Sequence, residues 1–177
     1  MPESVTDAAS DRGLERVNAL QPDEFRTVFA QCLDVDRWVE ALLAERPFPS
    51  QSALLASADA HARVLTDDEV ASALARHPRL GERATGNGTE AGWSRGEQSA
   101  FNQGAASAQE AFTAAQARYE ERFGHIYLVC ANGRSSEELL VDLESRMNND
   151  PATETRVVAN ELREICLLRV GKALDTP

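Results

Sequence analysis

The sequence predicts an all-α fold, a single-domain compact helical bundle of about seven to nine helices, on three observations. Apolar residues recur at helical spacing; Phe25, Val28, Phe29 and Cys32, for example, fall at i, i+3, i+4 and i+7. Helix-opening patterns recur as well: Pro22 ahead of Asp23 and Glu24, Thr66 with Glu69, Ser94 with Glu97, and Ser135 with Glu138. Only the run Ile126 to Ala131 leans towards a strand, and no second strand is present for it to pair with. With 177 residues, 42% of them apolar, the chain can bury one sizeable core and is short for two domains. Residues 1–12 read as a flexible N-terminal segment and 13–174 as the folded domain.

Each element has a local cause. Pro22 fits a first helical turn, and Asp23 and Glu24 suit the positive end of the helix dipole. The stretch Asp34 to Asp36 separates this helix from one carrying Trp38, Val39, Leu42 and Leu43, which Pro47 and Pro49 terminate. Ser50 can cap a helix with Leu54, Leu55 and Ala58 on one face. Thr66-Asp67-Asp68-Glu69 opens a helix through Val70, Ala73 and Leu74. Pro78 disfavours helical geometry at His77, so that helix should end there. The segment Gly81 to Gly92 contains four glycines and reads as a mobile loop. Ser94 with Glu97 is expected to cap a long helix through Phe101, Ala105, Ala108, Phe112 and Tyr119, closed by Phe123-Gly124. Ile126 to Ala131 should be a buried extended segment or a short helix. Asn132-Gly133 is a turn, and Ser135 opens a helix through Leu139, Leu140 and Leu143. A last helix begins near Asp150-Pro151, with Val157, Val158, Ile165 and Leu168 towards the core.

Composition narrows the function classes. There are 18 basic and 29 acidic residues, a formal net charge of −11, so the surface repels phosphate backbones and nucleic acid is a poor partner. No apolar run approaches the roughly 20 residues needed to span a membrane. Cys32, Cys130 and Cys166 are odd in number and widely spaced, which fits a reducing compartment. Together with a polar, acidic N-terminus lacking an apolar signal core, this leads to the expectation of a cytoplasmic protein. His61, His77 and His125 are not at metal-ligand spacing, so no metal is expected, and phosphate-loop, dinucleotide and nucleophile-elbow motifs are absent.

Two short motifs carry the chemistry: His77-Pro78-Arg79-Leu80-Gly81-Glu82 and Trp93-Ser94-Arg95-Gly96-Glu97-Gln98. His77 is the side chain best able to exchange a proton near neutral pH, and a helix C-terminus would favour its cationic, proton-donating form. From position alone the favoured reading is the plainer one, a favourable C-terminal residue. Ser94 and Glu97 read as a reciprocal helix cap. Such a cap would leave Gln98 and the first-turn N–H groups facing outward, where they suit a carboxylate or oxyanion. Arg134, beside Gly133, could clamp a carboxylate or a ureido carbonyl, or be an exposed loop arginine.

The ordered set of motifs resembles one enzyme family, the decarboxylases of 2-oxo-4-hydroxy-4-carboxy-5-ureidoimidazoline (OHCU), lyases of urate degradation in purine metabolism. The likeness runs from about residue 15 to 170. It is carried by Trp38-Val39-Glu40 before Arg46-Pro47-Phe48, by His77 to Gly81, by Trp93 to Gln98, and by the run from Tyr119 to Ser135. Leu139 to Leu143, Arg146-Met147-Asn148-Asn149 and Ala159 to Ile165 complete it. His61, where many relatives have an aromatic residue, and the glycine-rich Glu82 to Gly92 stretch are the departures. The resemblance implies a cofactor-free enzyme, usually a homodimer, that removes CO2 from OHCU and yields (S)-allantoin. By matched position, His77 is the proton donor and Glu97 its acidic partner. Pro78, Ser94, Arg95, Gly96, Gln98, Tyr127, Leu128, Val129, Cys130 and Ala131 line the substrate pocket, with a weaker role for Arg134. Two other readings stay open: a non-catalytic helical interaction module on the same scaffold, and another cofactor-free enzyme acting on a cyclic ureide.

Overall fold

A computed structural model describes residues 5–82 and 88–175. Among these there are ten helices and no strand: α1 (Val5–Ala19), α2 (Pro22–Cys32), α3 (Asp36–Glu45), α4 (Gln51–Ala62), α5 (Asp67–Leu74), α6 (Thr89–Glu97), α7 (Ser99–Asn102), α8 (Ala106–Phe123), α9 (Ser136–Arg146) and α10 (Pro151–Asp175). The all-α expectation holds, with more helices than the seven to nine anticipated. Helix α1 starts inside the segment expected to be a flexible tail. The long helix expected from Ser94 is instead three helices, for a visible reason. Gly104 passes so close to α9 that a Cβ there would lie 1.9 Å from Ser136 Oγ. The Gln109 side chain donates to the carbonyls of Phe101 (3.3 Å), Asn102 (3.1 Å) and Gly104 (3.2 Å), which a continuous helix would have satisfied internally. Part of the expected glycine-rich loop, residues 83–87, lies outside the described residues.

Contacts cluster into two compact units. The first runs up to Ala73 and resumes at Arg163; the second is Leu74–Leu162. In the first, α2 and α3 bury Phe25, Phe29, Trp38 and Leu42, and α4 adds Leu54. Phe25 and Phe29 stack at 4.0 Å, and the buried Trp38 indole donates to the Ala58 carbonyl at 3.0 Å, so its one polar atom is satisfied. Arg46 donates to the carbonyls of Val17 (3.0 Å), Asn18 (3.2 Å) and Leu20 (2.8 Å), closing the end of α1. The sequence-predicted caps form here. Ser50 Oγ accepts from Ala53 N at 3.0 Å. Thr66 and Glu69 make the full reciprocal box, at 2.9 and 3.2 Å.

In the second unit, Leu80, Phe101, Phe112, Ala115, Tyr119, Tyr127, Val129, Ala131, Leu139 and Leu143 form one apolar cluster. Residues 126–131 belong to no helix or strand. Tyr127, Val129 and Ala131 enter the cluster while Leu128 and Cys130 do not, and this period of two is that of an extended chain. The expected buried extended segment is therefore what forms. Beneath it lies the buried pair Arg146 (α9) and Glu154 (α10), with Arg146 Nε 2.7 Å from Glu154 Oε1. No helix among the described residues is long and apolar enough to cross a membrane.

Two predictions follow from these contacts. Glu154 is fully buried, and Glu154→Ala would strand the Arg146 guanidinium; urea denaturation should show a loss of about 3–5 kcal/mol. In the first unit, the hydrogen bond from Arg37 holds the Glu69 carboxyl below its ordinary value of 4.5. A carboxyl with a folded pKa below its unfolded one adds stability above the unfolded value, and that stability is lost as pH falls through the folded value. Glu69→Gln should therefore lower the urea midpoint at neutral pH and flatten its decline on acidification below about pH 4.5, relative to the wild type.

Candidate active site

The first motif is held from its C-terminal side. Helix α5 ends at Leu74, and His77 follows in a turn, its N–H donating to the Leu74 carbonyl at 3.1 Å. His77 therefore stands three residues beyond the end of α5 and is bonded back to it. His77 and Pro78 are half-buried. Arg79 is exposed and ion-pairs with Glu120 of α8, while Leu80 enters the apolar cluster. Gly81 adopts φ +92° and donates its N–H to Gln98 Oε1 at 3.0 Å, which joins the first motif directly to the second.

The second motif is not the cap expected of it. Helix α6 begins five residues upstream of Ser94, at Thr89 with Gly88 as N-cap, and this puts Ser94 and Glu97 inside the helix rather than at its mouth. Both are buried, at 5% and 7% exposure, and Gln98, which ends the helix, is buried at 8%. Arg95 and Gly96 lie on the exposed face. An ordinary surface helix buries apolar residues and exposes polar ones; α6 turns a hydroxyl, a carboxylate and an amide inward. Burying such groups costs free energy unless they find partners. Gln98 finds two, Gly81 N–H and, at 3.5 Å, the Ser94 hydroxyl.

The third component is the extended segment. Its backbone is gripped by side chains instead of a neighbouring strand. Arg146 donates to the Leu128 carbonyl at 2.8 Å, and Glu161 accepts from the Cys130 N–H at 3.0 Å. The Tyr127 hydroxyl donates to Asp142, and Arg146 lies over the Tyr127 ring at 4.5 Å. Burial, then the hydrogen bond to Asp142, pushes the Tyr127 phenol well up, so it remains a donor. Arg134 is half-buried, 3.8 Å from Asp142. Ser135 caps α9 as predicted, accepting from Glu138 N at 3.2 Å.

The second unit thus ties the two motifs through Gly81 and Gln98, packs Leu80 of the first motif with Tyr127, Val129 and Ala131 in one apolar cluster, and turns Arg95 and Gly96 outward. Sequence reasoning missed the supports: Asp142, Arg146, Glu154 and Glu161. One signal was available. Glu154, Val158, Glu161, Leu162 and Ile165 fall on one helical stripe, and two carboxylates on a stripe that is otherwise apolar mark a buried polar function. Among the described residues no group of His, Cys, Asp and Glu side chains is placed to hold a metal ion.

The second unit thus holds a half-buried His77 and an inward polar face on α6 within an all-α scaffold. The profile of the OHCU decarboxylase family matches residues 18–171, and the chain belongs to that family of lyases. It is 30% identical to the 2-oxo-4-hydroxy-4-carboxy-5-ureidoimidazoline decarboxylase of Amia calva over 93% of this chain and 95% of the relative. It is 26% identical to the enzyme of the same name from Haloferax volcanii over 92% and 96%. Its fold is similar to the crystal structure of an OHCU decarboxylase in the presence of (S)-allantoin, with a TM-score of 0.68, 26% identity, and coverage of 84% of this chain and 97% of that one.

The junction between the two motifs is open to test. Gly81 holds a left-handed conformation, and a Cβ there would meet the Phe101 ring at 3.3 Å. Gly81→Ala should destabilise the fold by about 1–3 kcal/mol in urea denaturation.

Proposed function

We propose that the chain removes CO2 from OHCU without a cofactor and protonates ring C5 on one face, giving (S)-allantoin, with His77 as the proton donor. The observation that carries this is the inverted face of α6, where Ser94, Glu97 and Gln98 are buried while Arg95 and Gly96 are exposed. A non-catalytic interaction module has no use for such a face. Family membership supports the same substrate. On this reading the enzyme acts in the cytoplasm as a homodimer, with residues 13–174 as its domain.

The chemistry needs little from the protein beyond placement and one proton. Breaking the bond between ring C4 and the carboxylate releases CO2 and sends its electron pair into a C4=C5 double bond. The C5=N π pair moves onto the ring nitrogen, which takes up a proton, so the substrate is its own electron sink. His77 then gives its proton to C5 as the C4 hydroxyl loses its proton to solvent and becomes the C4 carbonyl, and solvent returns a proton to the imidazole. Glu97 orients the imidazole or accepts from ring and ureido N–H groups, while Ser94 and Gln98 hold the polar edge of the heterocycle. Pro78 and the backbone of Tyr127 to Ala131 complete the pocket. Arg134 is assigned to the ureido or carbonyl end. A guanidinium clamped on the departing carboxylate would stabilise the ground state and lower no barrier. The nearby Asp142 supports this by offering Arg134 an anion of its own.

The test is stereochemical. OHCU is generated in situ from urate with urate oxidase and the hydrolase that follows it, and circular dichroism is recorded. The wild type should give a rapidly growing (S)-allantoin signal. His77→Asn should remain folded and lose roughly 10²–10⁴-fold in rate, the usual worth of a positioned proton donor. Optically inactive product at the spontaneous rate from the wild type would sink the proposal; a fully active His77→Asn would sink the assignment of His77.

A further inference from the structure

We propose that Glu161 and Arg146 are positioning residues, which act on substrate through the backbone of the extended segment 126–131 without touching substrate themselves. The proposal rests on the reading above that this segment borders the substrate.

An extended chain points its N–H and C=O groups to alternate edges, residue by residue. The Leu128 carbonyl and the Cys130 N–H, two residues apart, therefore share one edge. Arg146 donates to the first at 2.8 Å and Glu161 accepts from the second at 3.0 Å. A cation and a carboxylate, from two helices, thus do the work of a neighbouring strand. Val129 lies between the gripped groups, and its own N–H and C=O face the opposite edge. Its residue is 7% exposed, and on that edge its backbone forms no hydrogen bond among the described residues. Buried backbone groups are seldom left without partners. A donor and acceptor held side by side in this way match the N–H and C=O of an amide or ureide.

The grip is itself anchored. Arg146 is locked by Glu154, which also accepts from the Tyr119 hydroxyl and from Asn149 Nδ2 at 3.0 Å. Glu161 is half-buried, and burial pushes its carboxyl up, a cost borne to bring an acceptor to Cys130. A one-residue slip of the segment would exchange the two edges and take Tyr127, Val129 and Ala131 out of the apolar cluster. The grip on the backbone therefore sets which groups face the substrate.

Arg146 cannot be removed cleanly, because Glu154 would be stranded, so the test uses Glu161. Glu161→Gln keeps an oxygen that can accept from Cys130; Glu161→Ala does not. Steady-state rates with OHCU are compared per folded molecule, with unfolding midpoints measured beside them and amide exchange of Cys130 followed by NMR. Glu161→Ala should accelerate Cys130 exchange and lower kcat/KM roughly 10- to 100-fold, the scale of a small misplacement of binding groups. Glu161→Gln should restore both. A merely structural role would lower the midpoint of Glu161→Ala and leave the rate per folded molecule unchanged, which overturns the proposal. So does a Glu161→Gln variant as impaired as Glu161→Ala, since the loss would then follow charge and not the Cys130 hydrogen bond. Unchanged Cys130 exchange in Glu161→Ala overturns it too. A wild type inert on OHCU counts against the decarboxylase reading alone, and the grip is then judged by Cys130 exchange and by allantoin affinity across the same two variants.

Discussion

The ion pair between Arg146 and Glu154 is the constraint on which the architecture of the Leu74–Leu162 unit depends. Glu154 has no exposed surface and Arg146 is 4% exposed, so neither charge has water to fall back on. The cost of burying such a pair is offset by close geometry and by further hydrogen bonds to both charges. Here the carboxylate takes the Arg146 guanidinium, the Tyr119 hydroxyl and the Asn149 amide, and the guanidinium also reaches the Leu128 carbonyl. Helices α8, α9 and α10 and the segment 126–131 are therefore tied at one point. Replacing the pair by apolar side chains could give an equally stable fold, but nothing would then hold the Leu128 carbonyl.

That point governs a segment with no strand to pair with. In a sheet, register comes from the partner's backbone; here it comes from Arg146 and Glu161 along one edge and from Tyr127, Val129 and Ala131 dropping into the apolar cluster. The same cluster takes Leu80 from the first motif and Phe101 from just beyond the second. The Gly81–Gln98 hydrogen bond closes the circuit. Three stretches far apart in the chain are brought together by one apolar cluster and a few polar ties.

What could be read from the chain follows the range of the interactions involved. Pro22, Ser50, Thr66 with Glu69, Ser135 and Asp150-Pro151 are signals that span four residues or fewer, and the helices they predict begin where expected. The helical period of Phe25, Phe29, Trp38 and Leu42 identified core positions because burial of one helical face repeats along the chain itself. Ser94-x-x-Glu97 misled for the same local reason. The spacing that makes a cap also places two side chains on one face of a helix, and only the true start of α6 distinguishes the two.

The sequence by itself determined the all-α class, most helix starts, the burial of the run Ile126 to Ala131 though not whether it is extended or a short helix, and, through its ordered motifs, the family. Each of these depends on neighbours a few residues apart or on order along the chain. Tertiary structure alone decided that α6 turns its polar face inward, that Gly81 and Gln98 meet, and that Arg146, Glu154 and Glu161 lie under the segment rather than in solvent. Those outcomes depend on desolvation and on partners 8 to 31 residues away in sequence, and no local pattern states which partner will be there when the charge is buried.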